Sequence, residues 1–303
     1  MPEGAPDTRP VSPEHDSDGH WLRQFARRRP VETFADVLDA AGGRPPEDAD
    51  DPRSRERKKN YAQRLSEASA LWIANALRPY FGGILPNADG SGQESRARTG
   101  KGVKKLDVNY STPELGLGLG VTVKTLNFRD PKTQRYTKNT TRNDNELRAE
   151  AMDYHERQPY AVLVGALFTP FDSCLDGTPE KRTQSRSSFA HFVNVLRHRA
   201  GRVGPQDSPQ RLEALYVGLY GHEGAERGQV RFFDVLQTPP QFGIPRGGLL
   251  EFGSFIDAVV ATYDARNVVK PAWDTAEEPP PTLTELEASA LLPGAEEDDA
   301  GAE

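Results

Sequence analysis

Two charged residues stand inside runs that otherwise read as β-strands: Asp107 in Lys105-Leu-Asp-Val-Asn-Tyr110 and Lys124 in Leu117-Gly-Leu-Gly-Val-Thr-Val-Lys-Thr125. Strand side chains alternate with period two, so Leu117, Leu119, Val121 and Val123 face one way and Gly118, Gly120, Thr122 and Lys124 the other. In the first run Leu106, Val108 and Tyr110 are the apolar set, leaving Lys105, Asp107 and Asn109 opposite. An antiparallel pair with its apolar sides on one core then carries Asp107 and Lys124 together on the other face, where the glycines leave room for a bulky backbone. An acid that holds a divalent ion, beside a lysine that stabilises charge developing on phosphate, is the equipment of phosphodiester hydrolysis. The plainer readings are a cross-strand ion pair between the two and a surface lysine on an open sheet face.

Asp107, followed on the next strand by Thr122-Val123-Lys124, resembles the Asp…(Asp/Glu)-x-Lys core of the PD-(D/E)XK nucleases, which include most type II restriction endonucleases. Thr122 stands where the second acid would be. In this the chain is similar to a subgroup that cuts sites containing CCGG or GCCGGC, where Ser/Thr-x-Lys occurs and the following helix supplies the carboxylate. Arg142-Asn-Asp-Asn-Glu-Leu-Arg-Ala-Glu-Ala151 looks like that subgroup's Arg-x-Asp…Arg-x-Glu-Ala run. The resemblance implies Mg²⁺ held by Asp107, Glu150 and the Val123 carbonyl, with Lys124 as electrostatic partner of the attacking water. An insertion, residues 127–139, lengthens the gap between lysine and helix, so Glu146, one turn earlier on the same face, stands as the alternative to Glu150. Glu67, on the helix before the sheet, resembles the superfamily's accessory glutamate, and equally reads as an exposed helix residue. The Thr122 hydroxyl could contact a metal-bound water, although Thr is also simply a β-former.

The resemblance further implies double-stranded DNA as substrate and, for a palindromic site, a homodimer or a tetramer built from dimers. Arg142, Asp144, Asn145 and Arg148 would enter the major groove, arginine binding guanine O6 and N7 and aspartate accepting from cytosine N4. Helix capping by Asp144 is the plainer use of that segment. Arg129, Lys132, Arg135 and Lys138, with Tyr136 between them, make the insertion basic and suited either to phosphate contact or to solvation. Residues 53–59 and Arg96, Arg98, Lys101, Lys104 and Lys105 form further basic clusters. Thr122 in place of an acid also admits two other readings: a DNA-binding or defence-system component on a decayed nuclease fold, and a nonspecific repair or phage-defence nuclease.

The elements that must position these residues follow from periodicity. Phe34, Val37, Leu38 and Ala41 mark a helical stripe ended by Gly42-Gly43, and Tyr61, Leu65, Ala68, Leu71, Trp72 and Ala76 a longer one. After the hairpin come a helix from Asp144 to about Gln158, a buried strand over Tyr160–Phe168, and a helix around Phe189–His198. Ala214–Tyr220 and Val230–Leu236 read as strands and Phe252–Tyr263 as the last helix. This order predicts an α/β fold on one mixed sheet flanked by helices. It agrees with the restriction-endonuclease-like αβββαβ core that the resemblance implies over about 54–170.

The net charge of -7 is unevenly distributed. Residues 1–20 carry -4 and residues 274–303 carry -10, leaving +7 on residues 21–273. A basic body suits phosphate binding, and the Pro- and acid-rich tails read as disordered, with a short helix possible over 284–292. The expected organisation is a tail over 1–20, a nuclease domain over 21–273 and an acidic tail over 274–303. A single cysteine, Cys174, excludes intramolecular disulfides and thiolate zinc clusters. The histidines lack metal-ligand spacing. With neither a long apolar run nor a signal-peptide pattern, the expected location is the cytoplasm.

Overall fold

The computed structural model describes residues 20–47, 52–99, 102–112, 116–177 and 185–267. Both acidic tails, and the short helix expected over 284–292, lie outside the described residues. The chain begins with helices α1 (His20–Arg28), α2 (Phe34–Ala41) and α3 (Pro52–Leu77). A hairpin of β1 (Ser95–Thr99) and β2 (Gly102–Leu106) follows, then β3 (Val108–Thr112) and β4 (Gly116–Thr125). Helix α4 (Thr140–Arg157) leads to β5 (Val162–Pro170), α5 (Ser188–Leu196), β6 (Ala214–Tyr220), β7 (Val230–Asp234), β8 (Leu249–Leu250) and α6 (Phe252–Arg266).

Strands β3 to β8 form a six-stranded mixed sheet in sequence order. Strands β4, β5 and β6 are parallel, and the remaining pairings are antiparallel. Alternation in the central strands sorts side chains to two cores. Val162, Val164, Ala166 and Phe168 pack with α2, α3 and α6, while Leu163 and Leu167 pack with α4 and α5. Helix α2 starts where the sequence supplies a reciprocal cap: Thr33 Oγ1 accepts from the Asp36 amide at 3.2 Å, and Asp36 Oδ2 accepts from the Thr33 amide at 2.8 Å. It ends at Gly42, whose φ of 80° suits a residue without Cβ. On the same layer Trp72 of α3 stacks on Phe252 of α6.

Four sequence expectations change. Lys105–Tyr110 is not one strand: the chain bends at Asp107, so β2 belongs to the separate hairpin and β3 to the main sheet. Leu106 consequently packs in the α4–α5 core while Val108 and Tyr110 join the opposite one. Where β3 pairs with β4, a register shift between Tyr110 and Ser111 passes over Gly118 and likewise turns Leu117 away from Leu119, Val121 and Val123. The glycine face is also not bare. A Cβ at Gly120 would lie 2.8 Å from a Leu163 methyl and 3.1 Å from a Leu106 methyl, so this glycine makes room for leucines rather than for a ligand. Last, α4 starts at Thr140, earlier than expected, which puts Asp144 inside the helix and not at its cap.

Candidate active site

Helix α4 crosses the sheet beside the end of β4 and presents Arg142, Glu146, Glu150 and Tyr154 at four-residue spacing, which brings them onto one face. Glu150 Oε1 accepts a hydrogen bond from Lys124 Nζ at 2.7 Å, and Glu146 Oε2 lies 3.7 Å from the same ammonium. Glu146 is shared with the exposed Arg142, whose Nε donates to it at 2.7 Å. Glu150 Oε2 is buried and has no hydrogen-bond partner.

Asp107 arrives by the bend rather than by strand alternation. Its Oδ2 accepts from the backbone N–H of Val123 at 2.7 Å, which fixes the carboxylate against β4 next to Lys124. Tyr154 holds the chain just before that bend, its hydroxyl donating to the carbonyls of Lys104 at 3.0 Å and Lys105 at 3.4 Å. From the other side of the sheet, Ser66 of α3 donates to the Val123 carbonyl at 3.3 Å. Thr122 is buried on β4 opposite Gly165.

Burial pushes the Asp107 carboxyl up to about 6. The Lys124 charge and the Val123 amide oppose that rise, and the Glu150 and Glu94 carboxylates add to it. Burial pushes the Lys124 ammonium down, but the Glu150 and Asp107 carboxylates outweigh burial, and its pKa is raised overall. Lys124 is therefore a cation at neutral pH and Asp107 a carboxylate that is reluctant to ionise. The tyrosine hydroxyl of Tyr154 is raised by burial and by the same carboxylates.

Glu94 is a residue that sequence reasoning missed. It precedes β1 with φ 47°, a left-handed conformation uncommon outside glycine, pairs with Lys105, and raises the pKa of both Asp107 and Glu67. It carried no periodic or motif signal; only the basic run across the hairpin hinted that an acid would be needed there. Glu67 binds the Trp21 indole and the Gln63 amide, each at 3.0 Å, and its carboxyl is raised by burial. It ties α1 to α3, while its neighbour Ser66 reaches the β4 backbone.

The residues expected to read DNA separate into two groups. Arg142, Asn145, Arg148, Lys132 and Lys138 are exposed, Lys138 lying 3.3 Å from Asp130. Asp144 is buried and accepts from Arg199 Nε at 2.6 Å and Nη2 at 3.0 Å, so it is not the base-reading acceptor expected. Arg135 is also buried; it donates to the Arg186 carbonyl at 2.6 Å and lies 4.0 Å from Asp176, so it does not serve as a surface phosphate contact. Arg129 is half-buried over the Tyr136 ring, with Nη2 3.4 Å from Asp172.

Oxygen donors are available for a hard cation: the Asp107 carboxylate, the unpartnered Glu150 Oε2 and the Val123 carbonyl. Among the described residues no three His, Cys, Asp or Glu side chains are grouped to hold a metal ion by themselves. A cation here would rest on two carboxylates, a backbone carbonyl and water, a set that suits Mg²⁺. A cavity of about 660 Å³ lies under the β7–β8 connection around Pro239–Gly247 and shares no residue with this cluster. Comparison with known proteins finds no matching family model, curated protein or solved structure. Among the described residues no helix is long and apolar enough to cross a membrane.

Proposed function

We propose that the chain is a Mg²⁺-dependent endonuclease of the PD-(D/E)XK kind that hydrolyses phosphodiester bonds of duplex DNA, with a type II restriction enzyme as the specific form. The observation that carries this reading is the meeting of Lys124, Glu150 and Asp107 at the end of β4, with Glu150 Oε2 buried and unpartnered. A buried carboxylate oxygen with no donor is costly, and a cation is the partner that removes the cost. The order α3, β1, β2, β3, β4, α4, β5 has the helix, strands, helix, strand sequence of the αβββαβ core of those nucleases with one strand more before α4, the bend at Asp107 standing between β2 and β3.

In this reading Asp107, Glu150 and the Val123 carbonyl would hold Mg²⁺, which when bound would supply Lewis acidity toward the phosphate and a bound water of lowered pKa. Glu150 leads over Glu146, because Glu146 is shared with Arg142 and stands farther from Lys124. Lys124, held charged by its two carboxylate neighbours, stabilises negative charge developing on the phosphoryl oxygens. Tyr154 and the Val123 amide orient the Asp107 carboxylate. Thr122 is buried β-sheet and takes no part. Palindromic DNA would be engaged by a two-fold dimer or a tetramer of dimers, with Arg142, Asn145 and Arg148 on the exposed side of α4 available to base edges.

The test is cleavage of methylated and unmethylated plasmid by wild type and Lys124→Ala. Cleavage should fall about 10²–10³-fold in the variant, the loss typical of removing one charge-stabilising group, with DNA binding retained. Discrete fragments identify a restriction enzyme and a smear a nonspecific nuclease. Unchanged Mg²⁺-dependent cleavage by Lys124→Ala rejects the assignment.

A further inference from the structure

The cavity under the β7–β8 connection is half open to solvent and lined by Phe233, Pro239, Pro240, Phe242, Ile244 and Pro245, with Arg246 at its rim. Two more arginines border it. Arg197 donates to the carbonyls of Val235 at 3.1 Å and Gln237 at 2.6 Å, and Arg186 precedes Ser187, whose amide donates to the Gln241 carbonyl at 2.7 Å. Among the described residues none of these three arginines has an acidic partner. The nearby acids are turned to backbone donors, Asp234 to the Leu236 amide at 2.8 Å and Asp176 to the Ser188 amide at 2.6 Å. An apolar hollow bordered by unpaired cations suits an occupant that is apolar and acidic at once. We propose that this occupant is the chain's own leucine-bearing acidic segment, residues 283–292, independently of the nuclease reading.

Composition, reach and route favour that segment. Residues 274–303 hold ten acids and no lysine or arginine, and within them 283–292 combine Leu286, Leu291 and Leu292 with Glu285 and Glu287. The described chain ends at Asn267, just after α6, and the 16 residues from there to Leu283 span up to about 50 Å when extended. The way from α6 to the cavity is short. Arg266 Nη1 donates to the Val203 carbonyl at 2.7 Å, and a Cβ on Gly201 would stand 3.6 Å from a Leu236 methyl. Gln237, next to Leu236, lines the cavity. Val203 is 80% exposed and Leu236 49%, so the chain leaves α6 beside an uncovered apolar strip that leads to the hollow. The field there is positive: the Arg135 and Arg186 charges add to burial in holding His191 below its ordinary pKa. Leucines seated in the hollow leave water, and glutamates at the rim arginines fix orientation more than they add strength. Docking carries the acidic segment to the β8 edge of the sheet, the edge opposite β3.

Disulfide trapping tests this in the full chain, because Cys174, its one cysteine, is buried. Thr284→Cys or Ser289→Cys is combined with Thr238→Cys at the cavity rim or, as control, with Tyr80→Cys. Tyr80 is exposed and adjoins Phe81, which packs edge-on against Tyr263 of α6, so it too lies near the point where the chain leaves. A docked segment raises the local thiol concentration at Thr238→Cys alone, and a bridge needs Cα atoms within about 7 Å. At low salt and low protein concentration, one or both segment cysteines should bridge Thr238→Cys within the monomer about tenfold or more faster than Tyr80→Cys. Adding Arg186→Glu and Arg246→Glu, both at exposed positions, should slow that bridge about tenfold and leave the Tyr80→Cys rate unchanged. Equal rates at the two positions overturn the proposal. So does a bridge found only between chains, which makes a second copy the occupant, or a preference for Thr238→Cys that the two charge reversals leave intact.

Discussion

Two carboxylate-centred clusters, both involving α4, differ in one respect. Glu213, at the start of the region entering β6, uses both oxygens: Oε1 pairs with Arg202 at 2.8 Å and lies 3.4 Å from Arg266, and Oε2 accepts from the Leu163 amide at 2.7 Å with His155 at 3.3 Å. Its side chain is 1% exposed. Glu150 is 23% exposed and Lys124 17%, and one Glu150 oxygen has no donor. A buried carboxylate engaged through both oxygens locks elements together; a partly exposed one engaged through a single oxygen has capacity left for a ligand. The first joins α4, β5, β6 and α6, and the second faces the end of β4.

The comparison breaks most visibly at Glu213. Glu213→Gln leaves the Arg202 guanidinium buried without its counter-charge and should cost about 3–5 kcal/mol, read as a lower urea midpoint with unchanged m-value. Glu150→Gln should behave in the opposite way: stability within about 1 kcal/mol of wild type, because the pair is partly solvated, but cleavage reduced by about 10²-fold or more. Equal stability losses in the two variants would erase the distinction between a lock and a site.

The next effect is one of pH. Asp107 titrates near 6 in the folded chain against an ordinary value of 3.8, so the folded state binds its proton more tightly than the unfolded state does. Its contribution to stability is therefore full below the ordinary carboxylate value and is lost as pH rises through 6, the reverse of a salt-bridged acid. Urea unfolding without divalent ions should show wild type losing stability against Asp107→Asn between about pH 4 and pH 6. Mg²⁺ should restore it at pH 8 in wild type alone, since a cation that binds only the ionised site stabilises the fold. Parallel pH profiles of the two proteins would mean that Asp107 is not held in this strained balance.

The elements that build the sheet were largely legible because their signals are local. Ala214–Tyr220 and the stripe of Phe34, Val37, Leu38 and Ala41 ended by Gly42 are carried by apolar residues a few positions apart, and the structure keeps both. What was not legible depends on residues far apart in the chain. Nothing near Asp144 announces Arg199, its partner 55 residues on, nor does Arg135 reveal that the Arg186 carbonyl will bury it. The proximity of Asp107 and Lys124 was expected from alternation across a hairpin, yet it arises from a bend that the period-two pattern of Leu106, Val108 and Tyr110 conceals. A pattern of apolar residues reports which side chains are buried, but here it could not report that two different cores bury them.

The smallest effect tests how that bend is held. Tyr154 lies one turn beyond Glu150 on α4 and donates to the carbonyls of Lys104 and Lys105, so one helix both supplies the acid and anchors the approach to Asp107. Tyr154→Phe removes only the hydroxyl. It should lower stability by about 1 kcal/mol, the net worth of a hydrogen bond, and leave DNA affinity unchanged. If the anchor sets the carboxylate, turnover falls several-fold while KM holds, because a misplaced group weakens transition-state contacts without touching ground-state binding. Full turnover in a destabilised Tyr154→Phe protein would assign the hydroxyl to packing of the hairpin, leaving the Val123 amide alone to orient Asp107.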